Sequence, residues 1–261
     1  MFSASVEPVL YVALVMLFCL PLCIIAYTRH ILSLGGVVTA FAIGAVIGIF
    51  GGILWLLLLF ILLISSFAVT TYKYELKVAM GVNEGIRGER RAMNVIVHGV
   101  VPCAAALLNF LQRDMNANIP FFNGHTAAIL FITSISAAGA DTIASELGVL
   151  SNKTYLITTF KRVKPGTNGG ISLFGTACAL AGAAYISFVG WYILSLDHVI
   201  FWNKPVILLI PLVSGFIGCN IDSLLGATAE TKGFIGKHAN NLISISCALV
   251  VSFAIIILFG T

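Results

Sequence analysis

Charged residues are scarce in this sequence. Only 9% of the 261 residues are Asp, Glu, Lys or Arg, whereas 59% are hydrophobic, and the mean hydropathy is +1.06. This balance excludes an ordinary soluble enzyme and is typical of a chain embedded in lipid. Because a bilayer core requires about 20 apolar residues per helix, the chain has room for about six to nine crossings and no sizeable soluble domain.

Several other signals are missing. None of the six cysteines and five histidines has the spacing of a zinc or redox site. The formal charge of +4 comes from basic residues in short connections between apolar runs, so the sequence predicts no nucleic-acid partner. The N-terminus lacks the basic region of a cleaved signal peptide, and the first apolar run is therefore expected to remain as a span.

What the sequence does contain is a series of apolar runs long enough to cross a bilayer. They cover residues 8–27, 34–50, 53–71, 93–111, 122–140, 171–194, 205–221 and 241–260. Only Gly51 and Gly52 divide the second run from the third, which predicts a tight helical hairpin there. The sequence thus predicts an all-α polytopic membrane protein with about eight transmembrane helices in one domain, 1–261.

The distribution of basic residues predicts the orientation of these helices. Only Arg113 and Lys204 fall on one side of the predicted membrane, so 12 of the 14 Lys and Arg residues fall on the other. By the positive-inside rule, the basic side is cytoplasmic and both termini lie outside the cell. The protein is expected in the plasma membrane. Three cytoplasmic connections, 72–92, 141–170 and 222–240, are too long for simple turns and are predicted to be catalytic loops.

Carboxylates occur where two spans meet the cytoplasmic interface. Asp141 and Glu146 follow the fifth span, and Asp222 follows the seventh. Carboxylates in that position must face water, pair with a cation or bind a metal. Two or three oxygen ligands together with substrate phosphates are the usual way to hold Mg²⁺. The alternative is that the aspartates cap short helices and Glu146 is simply solvated.

A basic, glycine-rich segment precedes the sixth span. Its candidate phosphate-binding residues are Lys161, Arg162, Lys164, Gly166, Thr167, Asn168, Gly169, Gly170 and Ser172. Successive backbone N–H groups in such a segment, together with a helix N-terminus, favour an anion. The order of lysine and glycines is reversed relative to a Walker A motif, and a flexible loop with topogenic lysines is the alternative. Arg87, Arg90, Arg91 and Asn94, before the fourth span, are further polar candidates or ordinary flanking residues.

Three stretches resemble a known family. They are 141–148, 164–172 with Gly175 and Thr176, and 222–228. Together they are similar to the integral membrane family that contains plant chloroplast phytyl-phosphate kinase. The resemblance implies a CTP-dependent kinase that converts an isoprenyl monophosphate, of the phytyl or geranylgeranyl type, to its diphosphate. Where the family more often has Asn-Gly, this chain has His98-Gly99, which leaves the role of His98 open.

The resemblance suggests a role for each group of candidates. Mg²⁺ is expected on Asp141, Glu146 and Asp222, and the glycine segment with Lys164 is expected to hold the transferred phosphoryl group. The lipid phosphate is expected at the residues before the fourth span, which are Arg87, Arg90, Arg91 and Asn94. Because a phosphate monoester has its second pKa at about 6, the acceptor is an ionised nucleophile that needs no general base.

Two other functions fit the sequence. A polyprenol kinase would keep the fold but would need a carboxylate as general base, since its acceptor is an alcohol. A membrane transporter or lipid translocator would place ionisable residues near the bilayer midplane. The sequence leaves open the choice of CTP or ATP, the prenyl chain length and whether the chain forms a homo-oligomer.

Overall fold

The structure is a computed structural model and describes residues 8–83, 88–115, 117, 119–196 and 206–259. Each of the eight apolar runs forms a helix, and a short ninth helix, α4, follows the third run. The α-helices are α1 (Pro8–Thr28), α2 (Leu34–Phe50), α3 (Ile53–Thr71), α4 (Tyr74–Ala79), α5 (Ala92–Arg113), α6 (Gly124–Gly148), α7 (Leu173–Leu196), α8 (Val206–Leu225) and α9 (Lys237–Phe259).

The prediction of an all-α polytopic membrane protein is confirmed. Within the described residues, seven helices are long and apolar enough to cross a membrane, and α2 is a shorter apolar helix of 17 residues. The predicted hairpin is present, because α2 ends at Phe50 and α3 begins at Ile53. Gly52 turns the chain with φ of +121°, a conformation that favours glycine. Eight crossings and the positions of the termini stay predictions.

Helix α6 forms the centre of the bundle and packs against α3, α5, α7, α8 and α9. Most of its residues are buried inside the protein, among them every residue from Thr126 to Ala140. Small residues such as Ala138 and Gly139 allow this close packing. A Cβ atom on Gly139 would lie 3.0 Å from Cγ1 of Ile186 on α7. The helix that carries Asp141 is therefore held in place by five neighbouring helices.

Two of the three connections predicted as catalytic loops, 141–170 and 222–240, contain regular structure, and the helices extend beyond the predicted span ends. Helix α6 continues to Gly148, so Asp141 lies within a helix, and α8 continues past Asp222 into a π-helix, Gly226–Glu230. Both aspartates face a polar cavity between helices rather than bulk water, so neither helix has to end there. The segment after α6 forms a three-stranded antiparallel sheet in the order β2-β1-β3, with β1 (Thr154–Leu156), β2 (Arg162–Val163) and β3 (Gly170–Ile171).

Candidate active site: two chambers beside one helix

A polar chamber of about 450 Å³ opens between α6, α7, α8, α9 and the glycine-rich segment. Asp141 and Asp222 both line it, and their carboxyl groups are close enough to interact. The Ser244 hydroxyl donates to Oδ1 of Asp222 at 3.2 Å. The Asn241 amide, turned with its nitrogen toward the same oxygen, also donates at 3.2 Å. Residues 81 apart in the sequence therefore form one acidic pair.

Glu146 does not join this pair, which corrects the predicted set of three carboxylate ligands. Its Oε2 accepts from Nζ of Lys77 at 2.6 Å, and its Oε1 accepts from the hydroxyl of Thr70 at 3.1 Å. Lys77 is fully buried and also donates to the carbonyls of Val69 and Thr70. Among the described residues, no group of three or more His, Cys, Asp and Glu side chains is arranged to hold a metal ion. Glu146 instead fixes α4 to α3 and α6.

The glycine-rich segment forms one wall of the polar chamber. Its lining residues are Gly166, Thr167, Asn168, Gly169, Gly170 and Ser172. Two of its amides are used within the segment, because Thr167 N–H donates to the Lys164 carbonyl and Gly170 N–H donates to the Thr167 carbonyl. These bonds close a tight turn. Ser172 caps the following helix, since its hydroxyl accepts from Gly175 N–H at 2.9 Å.

Glu230 connects that wall to the helices. It lies on the π-helix, where its Oε1 accepts from the Asn168 side chain at 2.9 Å and its Oε2 accepts from the Asn240 side chain at 3.1 Å. The Asn240 amide also donates to the Asp222 carbonyl at 3.1 Å. One carboxylate thus joins the glycine segment to the end of α8 and the start of α9. Irregular helical turns of this kind are frequent at functional sites.

The predicted phosphate-binding cations lie elsewhere. Lys161, Arg162 and Lys164 are exposed, and none of them lines the polar chamber as the described residues define it. Arg162 donates instead to the Asn152 carbonyl at 3.2 Å. The cation among the described lining residues is Lys237, the first residue of α9, which acts electrostatically on Asp222. The sequence analysis predicted no site role for Lys237. Its position one turn before the polar pair Asn240 and Asn241 could have indicated one.

A second, apolar chamber lies between α1, α2, α3, α5 and α6. Thr142, the neighbour of Asp141, lines it, so the two chambers are on different sides of α6. Arg90 and Asn94 line it as well, together with His98. These two predicted lipid-phosphate residues are therefore brought together, whereas Arg91 is exposed and does not line this chamber. Arg87 lies outside the described residues.

Backbone hydrogen bonds fix the position of Arg90, whose side chain lines the apolar chamber. Its N–H donates to the Ile31 carbonyl at 3.0 Å, and its carbonyl accepts from Ser33 N–H at 3.1 Å. The residue is only 7% exposed, and its Nε and Nη2 atoms have no hydrogen-bond partner among the described residues. A buried guanidinium with two unused donors has the chemistry to pair with an anion.

The fold and these chambers define a helical membrane protein with an acidic polar chamber next to an apolar one. The chain belongs to the family described as integral membrane protein DUF92, whose model matches residues 17–251. This confirms the family that the three motifs predicted.

Two relatives illustrate the membership. The uncharacterized membrane protein MJ0933 of Methanocaldococcus jannaschii is 34% identical over 210 residues, which are 80% of this chain and 79% of that protein. The chloroplastic protein VTE6 of Arabidopsis thaliana is 30% identical over 225 residues, which are 85% of this chain and 64% of that protein. This chain thus covers somewhat less than two thirds of the plant protein. No solved structure matches the chain significantly.

Proposed function

We propose that this protein is a nucleotide-dependent isoprenyl-phosphate kinase that acts at the cytoplasmic face of the cell membrane. The nucleoside triphosphate, CTP or alternatively ATP, binds in the polar chamber, and a prenyl monophosphate of the phytyl or geranylgeranyl type is the acceptor. The observation that carries the proposal is the Asp141–Asp222 pair, which faces a glycine turn and adjoins an apolar chamber. The family resemblance of these motifs supports the same reaction.

The reaction requires one bond to form and one to break. An oxygen of the prenyl monophosphate attacks the γ-phosphorus of the nucleotide and forms a new P–O bond. The bond from that phosphorus to the β–γ bridging oxygen breaks, and the nucleoside diphosphate leaves with the electron pair. Because the acceptor is already ionised, the protein has to align two anions and offset their charge. No residue is required as a general base.

The acidic pair fits a magnesium ion that arrives with the nucleotide. Mg²⁺ is commonly held by one or two carboxylates plus substrate phosphates, and Asp141 and Asp222 supply two carboxylates. Glu146 and Glu230 also line the chamber but accept hydrogen bonds from Lys77 and from Asn168 and Asn240, respectively. When bound, the ion would neutralise charge on the nucleotide phosphates. Ser244 and Asn241 orient Asp222 from behind. Lys237 and Asn168 contribute positive charge and an amide to the same chamber.

Phosphoryl transfer tests this proposal directly. Purified protein is incubated with γ-labelled CTP or ATP, Mg²⁺ and a panel of prenyl monophosphates and prenyl alcohols. We expect label in prenyl diphosphates, and a loss on the order of 100-fold for Asp141→Asn and Asp222→Asn. Asp114→Asn is the matched control, because Asp114 is exposed and pairs with Arg113 at the surface.

Three outcomes would contradict the proposal. Label found only in the alcohol products would make the protein a prenol kinase. No transfer to any acceptor would favour a transporter. Full activity of Asp141→Asn with Mg²⁺ would show that the acidic pair does not bind the metal.

A further inference from the structure

The apolar chamber extends deep into the bundle from the end that carries Arg90. Its lining residues on α3 run from Leu56 to Ser66, which corresponds to about 15 Å at a rise of about 1.5 Å per residue. This is roughly half of a hydrocarbon core of about 30 Å. Ser66 and Arg90 lie toward one end, and Leu56 and Cys19 lie toward the other. The chamber therefore has a polar end and an apolar interior.

The polar end needs a negatively charged occupant. Arg90 is buried with two donors unused, and none of the described residues lining the chamber is acidic. An unpaired buried charge is costly, and a guanidinium pairs best with a planar carboxylate or with phosphate oxygens. Asn94, one turn further along α5, adds an amide on the same side. An anionic head group above an apolar chain satisfies both parts of the chamber.

The depth of the chamber limits the length of that chain. Three bonds of an extended chain cover about 3.6 Å, so a four-bond isoprene unit covers about 5 Å. A depth of about 15 Å therefore holds about three units, and a fourth fits if the chain bends or begins at the interface. Much longer polyprenyl chains would have to leave the chamber sideways between helices.

We infer that the apolar chamber is the acceptor site, in which Arg90 binds the phosphate and the chamber selects a prenyl chain of about 15 to 20 carbons. This inference rests on the proposed function, since it gives the acceptor of that reaction its place and its length limit. Arg90 is here a binding residue. Thr142 and Asp141 are consecutive on α6, so a phosphate at the Arg90 end lies next to the helix that carries the acidic pair.

Equilibrium binding without nucleotide tests the inference separately from catalysis. Labelled geranylgeranyl monophosphate is bound to the full-length protein in nanodiscs, with geranyl, farnesyl and undecaprenyl monophosphates as competitors. We expect farnesyl and geranylgeranyl monophosphates to compete best, and the geranyl and undecaprenyl compounds to be at least about tenfold weaker, because one underfills and the other overfills the chamber.

Two variants locate the binding site. Ala40→Phe fills the chamber, and Val38→Phe is its control, because Val38 is on the same helix but 64% exposed on the outer surface. We expect Ala40→Phe to weaken geranylgeranyl monophosphate binding at least about tenfold and Val38→Phe to leave it unchanged. Arg90→Met should weaken monophosphate binding but not geranylgeraniol binding, and Arg90→Lys should restore part of it. Thermal unfolding confirms that each variant is folded.

The results separate this inference from the proposed function. If binding is unaffected by Ala40→Phe and by Arg90→Met, the acceptor does not bind in this chamber, whatever the transferase activity. If bilayer phospholipid displaces the probe equally well, the chamber is a structural lipid site and the inference is wrong. If chain-length-selective binding occurs without phosphoryl transfer, the chamber assignment stands and the kinase proposal fails.

Discussion

At the scale of single residues, the ion pair between Lys77 and Glu146 shows what sequence reasoning could not reach. The sequence predicts Glu146 as a metal ligand because it lies five residues after Asp141 at a membrane exit. Its partner, Lys77, is 69 residues away in the chain, and in the sequence it resembles a lysine that only sets membrane orientation. Only tertiary packing of α4 against α6 brings the two together. Asp141 and Asp222, by contrast, are predicted as neighbours from their shared position at span ends.

Removing one partner of this buried pair should destabilise the protein strongly. Lys77→Met or Glu146→Gln leaves the other group without its partner, and such losses cost about 3–5 kcal/mol. Glu75→Gln, on the exposed side of the same short helix, should change stability by less than about 0.5 kcal/mol. Thermal and denaturant unfolding in detergent measure the difference. If Glu146→Gln were fully stable but required far more Mg²⁺ for activity, the metal-ligand prediction would return.

At the scale of elements, the sequence predicts the glycine-rich turn as functional, but not its contacts. The pattern of glycines identifies the turn, and the structure places it in the chamber wall. Gly169 has φ of +71°, and a Cβ atom there would lie 2.5 Å from the Ala227 backbone nitrogen in the π-helix. The π-helix contacts the distant glycine turn through Glu230 and Asn168, and the sequence gives no clear signal for it. The sheet is local, but its strands of two or three residues are too short to show an alternating pattern.

Gly169→Ala should therefore displace the turn from the π-helix. Strain of this kind costs about 1–3 kcal/mol, and we expect the KM for the nucleotide to rise about tenfold or more, since tenfold corresponds to about 1.4 kcal/mol. Gly233→Ala is a matched control, because Gly233 has a similar φ of +75° and a Cβ atom added there would have no atom within 4 Å. Steady-state kinetics with varied nucleotide measure both. Equal effects of the two changes would show that backbone strain, rather than contact with the π-helix, matters.

At the scale of the whole molecule, the positions of the helices could be predicted and their arrangement could not. Apolar length identifies each helix, since lipid imposes that length on every span. Nothing in the hydropathy distinguishes α6 as the central helix, because small residues such as Ala138 reveal their role only when neighbours pack against them. The apolar chamber is equally hidden, since its walls come from five helices.

The predicted orientation and the short helix α2 can be tested together by cysteine labelling. Arg29→Cys, Glu75→Cys and Lys153→Cys, all at exposed positions, should react with an impermeant maleimide only in inverted vesicles, and Arg113→Cys only in intact cells. The unsubstituted protein gives the background, because its six free cysteines all lie within helices. Helices α2 and α3 lie between residues 29 and 75 in the chain. If the cysteines at these two positions were labelled from opposite sides of the membrane, only one of the two helices would cross it. In that case the polar end of the apolar chamber, which the Arg90 backbone joins to Ile31 and Ser33, would face away from the nucleotide.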